Sequence, residues 1–193
     1  GVAITLAALR YDWAVVLPES DCDARAVQKL SSRLILLSSI LFATVALVLR
    51  QMLSSRYGQD VGNWMVFASL LLYTTAQLTN RQFWLTRRKE FAAIGSNRVL
   101  TAFAVAGSQI VFAFTTQGFQ GLLLGQVVGQ ALALVAVNLR IPELRDGMKI
   151  PNELLWRTAV RYRKMPILNG PTALLDSVRS AAINIIIGTI SVS

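Results

Sequence analysis

The sequence predicts an all-α fold, a polytopic transmembrane helix bundle. Three observations lead there. Uncharged apolar runs recur along the chain, each long enough for a helix to cross a hydrocarbon core of roughly 30 Å. Charged residues, 15% of the total against 54% hydrophobic, gather in the gaps between runs instead of covering a surface. The cations are divided unequally between alternate gaps, as the orientation rule for membrane proteins requires.

Each span follows from one run. Residues 34–49 carry no charge, and the run reaches Leu53 if Arg50 snorkels to the interface. Residues 61–80 are uncharged throughout. Residues 99–139 form a single uncharged run, about twice the spanning length, broken by the turn-forming "QGFQG" at 117–121. That gives a hairpin of two spans, 99–116 and 121–139. "GVAITLAAL" before Arg10 is too short to cross, and the chain has no initial methionine. Both ends are expected to lie inside helices of a longer membrane protein.

Orientation follows from counting Lys and Arg. Of the 19 cations, 17 fall in 10–33, 81–98 and 140–179, and 2 in the intervening connections. Loops 10–33, 81–98 and 140–179 are therefore expected in the cytoplasm. Tyr11, Trp13, Phe83 and Trp84 stand near that boundary, where amphipathic rings settle at the headgroups. Net charge is +9, but a soluble nucleic-acid binder has no use for such apolar runs, so no nucleic-acid partner is expected. One cysteine, Cys22, excludes an intrachain disulfide, and the absence of histidine removes the commonest general base and metal ligand.

Residues 140–166 form the longest polar stretch, interrupted by Pro142 and Pro151, with Asn152 as the expected cap of "ELLWRTAVRYRK". On that helix Arg157, Arg161 and Lys164 share one face, and Leu155, Ala159 and Tyr162 the opposite one, with Trp156 beside them. A helix lying on an anionic leaflet and a solvated linker helix packed on the bundle both fit this pattern.

Catalytic signals are absent, and no enzyme, metal or cofactor is expected. Asp21-Cys22-Asp23 has the form of a metal-holding D-x-D, but Asp23 stands where a carboxylate caps the following helix. In "GLLLGQVVGQALA" glycines at 121, 125 and 129, with Ala133, form a small-residue row that lets helix backbones approach. Gln126 and Gln130 lie one position along. Amides in hydrocarbon need partners, and these two, with Gln109 and Asn138, serve either as interhelical glue or as contacts for sugar hydroxyls. Arg179 lies eight residues beyond Pro171 in the last apolar stretch, with Asp176 three residues before it. The pair is either embedded and facing a cavity, or wet if the span begins at Ser180.

"RYDWAVVLP" (10–18), "NRQFWLTRRKEFAAIGSNRVL" (80–100), "GFQGLLLGQVVGQ" (118–130) and "RYRKMPILNGPTALLDS" (161–177) together resemble bacterial polysaccharide transporters. These are the oligosaccharide flippases of the multidrug/oligosaccharidyl-lipid/polysaccharide exporter superfamily. Asp12 stands where that family usually has Glu. The resemblance implies helices three to six complete, with parts of two and seven, in one transmembrane domain over 1–193. It makes the chain mostly the N-terminal lobe, with 140–170 a cytoplasmic inter-lobe linker. It also implies movement of an isoprenoid-diphosphate-linked oligosaccharide across the bacterial cytoplasmic membrane, with membrane lipids and glycan-assembly proteins as partners. An anionic diphosphate is hosted by cations, and Arg10, Arg98 and Arg179 are the candidates. Simple snorkelling is the other reading of Arg10 and Arg98. The alternative functions are a drug or cation exporter of the same superfamily and a membrane-embedded glycan polymerase.

Overall fold

The computed structural model describes residues 11–57, 59–115, 119–141 and 151–164, together with 171, 172, 175 and 179. Arg10, Asp176 and most of the last apolar stretch lie outside the described residues. Every regular element among them is helical: a 3-10 turn Trp13–Val16, then α1 Asp21–Tyr57, α2 Gln59–Arg87, α3 Phe91–Thr115, α4 Phe119–Arg140 and α5 Asn152–Arg161. The helices run back and forth, so α1 begins, α2 ends, α3 begins and α4 ends at one end of the bundle, here termed the basic end.

α1 extends well beyond the uncharged run 34–49. Its first turns hold Ala24, Ala26, Val27, Gln28 and Ser31, all buried, so the helix continues wherever a face is covered, not only where it is apolar. Ser20, not Asp23, caps it: the Ser20 hydroxyl oxygen accepts the Asp23 N–H at 3.1 Å. That satisfies one of the four free N–H groups of the first turn, while Asp21 and Asp23 complement the helix dipole from within that turn.

α2 is the central helix, in contact with α1, α3, α4 and the 3-10 turn. It ends in a backbone motif in which the Glu90 N–H reaches the Leu85 carbonyl and the Lys89 N–H reaches Thr86, each at 3.0 Å. Lys89 takes φ 57°, a left-handed position that usually belongs to glycine. Replacing Lys89 with Gly is expected to stabilise the protein by about 0.5–1 kcal/mol, read as a raised unfolding midpoint in detergent.

α3 and α4 form the expected hairpin, but α4 already begins at Phe119, so Gly121, expected within the break, is helical. The reason is packing. Gly121, Gly125, Gly129 and Ala133 are all buried along one row of α4. A Cβ added at Gly125 would stand 2.5 Å from the Gln109 Cα, and one at Gly129 would overlap the Val105 Cα and lie 2.7 Å from the Ala104 carbonyl oxygen. The two backbones are in direct contact, as small-residue rows allow in lipid.

The outside of the bundle is apolar. Phe103 and Phe114 on α3 are 74% and 87% exposed, and Leu41, Val48, Leu132 and Leu139 are also largely uncovered. So much exposed apolar surface is foreign to a soluble monomer. α1 over Asp21–Met52, α3 over Phe91–Phe114 and α4 over Gln120–Arg140 are long and apolar enough to cross a membrane. α2, with its 29 residues, is long enough but is not among these three, although 61–80 is uncharged. Its covered face holds Ser69, Thr74, Gln77 and Asn80, which lowers its hydropathy without exposing polarity to the outside.

Candidate functional site

Two polar systems meet at the basic end, a seam inside the bundle and a clamp across its rim. The seam starts where α1 and α2 lie side by side. The Gln28 amide nitrogen donates to the Asn80 carbonyl at 3.1 Å, and the Asn80 amide nitrogen donates to the Gln28 carbonyl at 3.5 Å. Backbone carbonyls accept only, so these bonds fix which way each amide points. A turn further in, the Gln77 amide nitrogen donates to the Ser32 carbonyl at 3.2 Å, and Ser32 Oγ donates to Gln77 Oε1 at 3.0 Å.

The seam then turns toward α4. Thr74 and Thr75 hydroxyls both donate to Gln130 Oε1, at 2.8 and 2.7 Å. Between α3 and α4, the Gln109 amide nitrogen donates to Gln126 Oε1 at 3.2 Å and to the Leu122 carbonyl at 3.3 Å. Such bonds join helices where lipid offers no other partner. The spacing Thr74, Gln77, Asn80 places one polar side chain per turn along this stretch of α2. Gln28 and Asn80 are 1% and 0% exposed, so this pair is withdrawn from solvent.

The clamp is built on Arg87, in the last turn of α2. Its guanidinium donates to the carbonyls of Pro18, Val15 (3.5 Å) and Glu19 (3.4 Å) and to the Asp21 carboxylate (3.0 Å). It therefore ties α2 to the segment that joins the 3-10 turn to α1. The Arg87 side chain is 13% exposed, whereas Asp21 is 78% exposed. The carbonyls of the buried Val15 and Pro18, not the ion pair, are the less solvated partners, while Glu19 is exposed.

The same segment packs inward. Ala14 and Val15 form a cluster with Ala24, Val27, Trp84 and Ile141. Trp84 and Tyr11, expected near the boundary, are both buried, so their rings pack into the bundle. Trp13 stays half-exposed, 6.1 Å from the Phe83 ring. The Tyr11 hydroxyl donates to the Ala159 carbonyl on α5 at 3.0 Å. Burial raises the Tyr11 phenol above its ordinary value. The neutral donor is thus kept at all physiological pH, and its contribution is lost only in alkali, as pH rises through the raised value. Arg140 closes the rim on the far side, donating to Asn97 Oδ1 at 3.1 Å and Ser96 Oγ at 3.3 Å.

Of the residues singled out from the sequence, Gln126 and Gln130 are brought into the interior, each with its oxygen held by a neighbouring helix. Arg98 is exposed on α3, and Arg179 is exposed on a helical residue. Arg10 and Asp176 lie outside the described residues. Sequence reasoning missed Gln28, Gln77, Asn80 and the clamp of Arg87. The first three were legible as amides at helical spacing inside or beside uncharged runs. Arg87 was counted only as one cation among several.

Fold and site together define a membrane-type helical bundle with an apolar exterior, an amide-and-hydroxyl interior and a cationic end. The family model described as "Polysaccharide biosynthesis protein" matches residues 16–158, well over half of the chain, and the protein belongs to that family. No curated protein and no solved structure matches it significantly.

Proposed function

We propose that the chain is part of a flippase that carries an isoprenoid-diphosphate-linked oligosaccharide across the bacterial cytoplasmic membrane for surface polysaccharide synthesis. The observation that carries this reading is where the polarity lies. A seam of amides and hydroxyls runs inside a bundle whose outer face is apolar, and it leads to an end rich in cations. A glycan requires groups that pair with hydroxyls, a diphosphate requires cations, and a lipid tail requires the apolar exterior. Family membership supports the link to polysaccharide biosynthesis. The motif resemblance supports transport over assembly chemistry. In this reading the protein is multi-pass, loops 10–33, 81–98 and 140–179 face the cytoplasm, and Gln126 and Gln130 hold the helices around the substrate path.

A strain lacking the intact gene is expected to accumulate the lipid-linked glycan in the inner leaflet and to lose surface polysaccharide. Failure to form the lipid-linked precursor would make the protein an assembly enzyme and overturn the proposal. Within it, Arg179 is the cation assigned to the diphosphate. Arg179→Ala is expected to lower surface polysaccharide several-fold with the protein still present in the membrane. Unchanged polysaccharide would remove Arg179 from the substrate path.

A further inference from the structure

α5 is joined to the bundle by one face only. Leu155 and Thr158 are each 4% exposed, the Ala159 carbonyl accepts from Tyr11, and Arg161 lies 3.7 Å from Asp23 in the first turn of α1. The two readings of this helix from sequence are therefore not exclusive, because packing on the bundle uses only part of its circumference.

The rest of the circumference is uncovered. Trp156 is 73% exposed and Val160 45%. Four residues apart, they lie on the same side of the helix. Beside them Arg157, Arg161, Arg163 and Lys164 are all exposed. Glu153 answers Arg157 at 2.8 Å and Asp23 answers Arg161, which leaves a clear cationic excess. An open indole among cations is the composition of a surface made for a phase boundary, with the ring seeking the apolar side and the cations seeking anions.

The position of α5 identifies the boundary. Tyr162, directly after α5, packs against the cluster that contains Ala24 of α1 and Ile141. Ile141 follows the end of α4, where Leu139 is 62% exposed on the outer face. α5 thus sits at the level where the apolar exterior of the bundle stops, which is the depth of the headgroups.

We propose that α5 is a docking surface for anionic phospholipid of the leaflet at the basic end. Trp156 and Val160 enter the boundary between headgroups and acyl chains, and Arg163 and Lys164 hold headgroup phosphates. Through Tyr11 and Asp23 the occupied helix also steadies the 3-10 turn and the start of α1. The proposal is independent of the substrate the protein carries. Each cation near an anionic surface strengthens association roughly five-fold, so the two make the helix sensitive to lipid composition.

The test uses the intact protein in nanodiscs, with an environment-sensitive fluorophore on Val160→Cys in a Cys22→Ser background. Phosphatidylglycerol nanodiscs are expected to shift the emission to the blue and to cut quenching by aqueous iodide several-fold relative to phosphatidylcholine nanodiscs. Arg163→Gln and Lys164→Gln together, which spare the paired Arg157 and Arg161, are expected to abolish the difference while thermal unfolding in detergent stays unchanged. Equal emission in the two lipids would overturn the proposal, leaving α5 a solvated linker. A shift produced by inorganic phosphate in phosphatidylcholine nanodiscs would also overturn it, by assigning the cations to a free anion.

Discussion

Gly125→Ala and Gly129→Ala are each expected to destabilise the protein by about 2–3 kcal/mol, among the largest effects of any single methyl in this chain. At both positions the obstacle is the backbone of α3, namely the Gln109 Cα for Gly125 and the Val105 Cα and Ala104 carbonyl for Gly129. A flexible side chain would swing aside, but a helix backbone moves only as a whole. Separating the helices also stretches the 3.2 Å bond between Gln109 and Gln126, so the steric and polar losses reinforce one another. The chain supplies its own control. Gly95 and Gly107 on α3 have nothing within 4 Å of an added Cβ. There the better helix propensity of alanine applies unopposed, and both substitutions are expected to be neutral or stabilising by up to about 1 kcal/mol. Reversible unfolding of all four variants in one detergent decides the matter. Equal losses at the four sites would refute close backbone contact.

The second large effect belongs to Arg87. Arg87→Ala removes the donors for three carbonyls and one carboxylate, and is expected to cost about 2 kcal/mol, chiefly from the carbonyls of the buried Val15 and Pro18, which are left short of a partner. Arg87→Lys should recover only part of this, because an ammonium cannot present the planar fork that reaches Val15, Pro18 and Glu19 together. Asp21→Asn is expected to change stability by less than about 0.5 kcal/mol, since that carboxylate is mostly in water. The order Ala, Lys, Asn in decreasing loss is the signature. Comparable losses for Arg87→Ala and Asp21→Asn would mean that the ion pair, not the carbonyl clamp, holds the rim. Limited proteolysis between residues 16 and 20 gives a second readout, with faster cleavage expected only in the Arg87 variants.

How far the sequence foretold this architecture depended on what each residue's neighbours were doing. The hairpin of α3 and α4 was legible because glycine at every fourth position has few other uses inside an apolar run. The lengths of α1 and α2 were not, because a hydropathy pattern marks where a helix meets lipid and says nothing of where it meets another helix. Gln28, Ser31, Asn80 and Trp84 all lie beyond or at the limits of the uncharged runs, yet they are buried against one another's helices. Asp23 was expected to cap α1 where Ser20 does, because both residue types cap well and only the backbone path separates a cap from a first-turn carboxylate. Similarly, Asn152 was expected to cap α5, whereas Pro151 holds that position and its carbonyl accepts from Leu154 and Leu155 at 3.0 and 3.3 Å. Charge counting located the basic end. It could not separate Arg87, whose work is local and structural, from Arg88 and Lys89, which are exposed neighbours.

The carbonyl of Pro18 and the guanidinium that grips it stand 69 positions apart. Synthesis must therefore deliver two whole helices, α1 and α2, before the latch exists. Until then the carbonyls of Val15 and Pro18 lack the donor that they have in the finished fold. The glycine hairpin downstream needs no such patience, for its two halves emerge consecutively and can zip together on arrival.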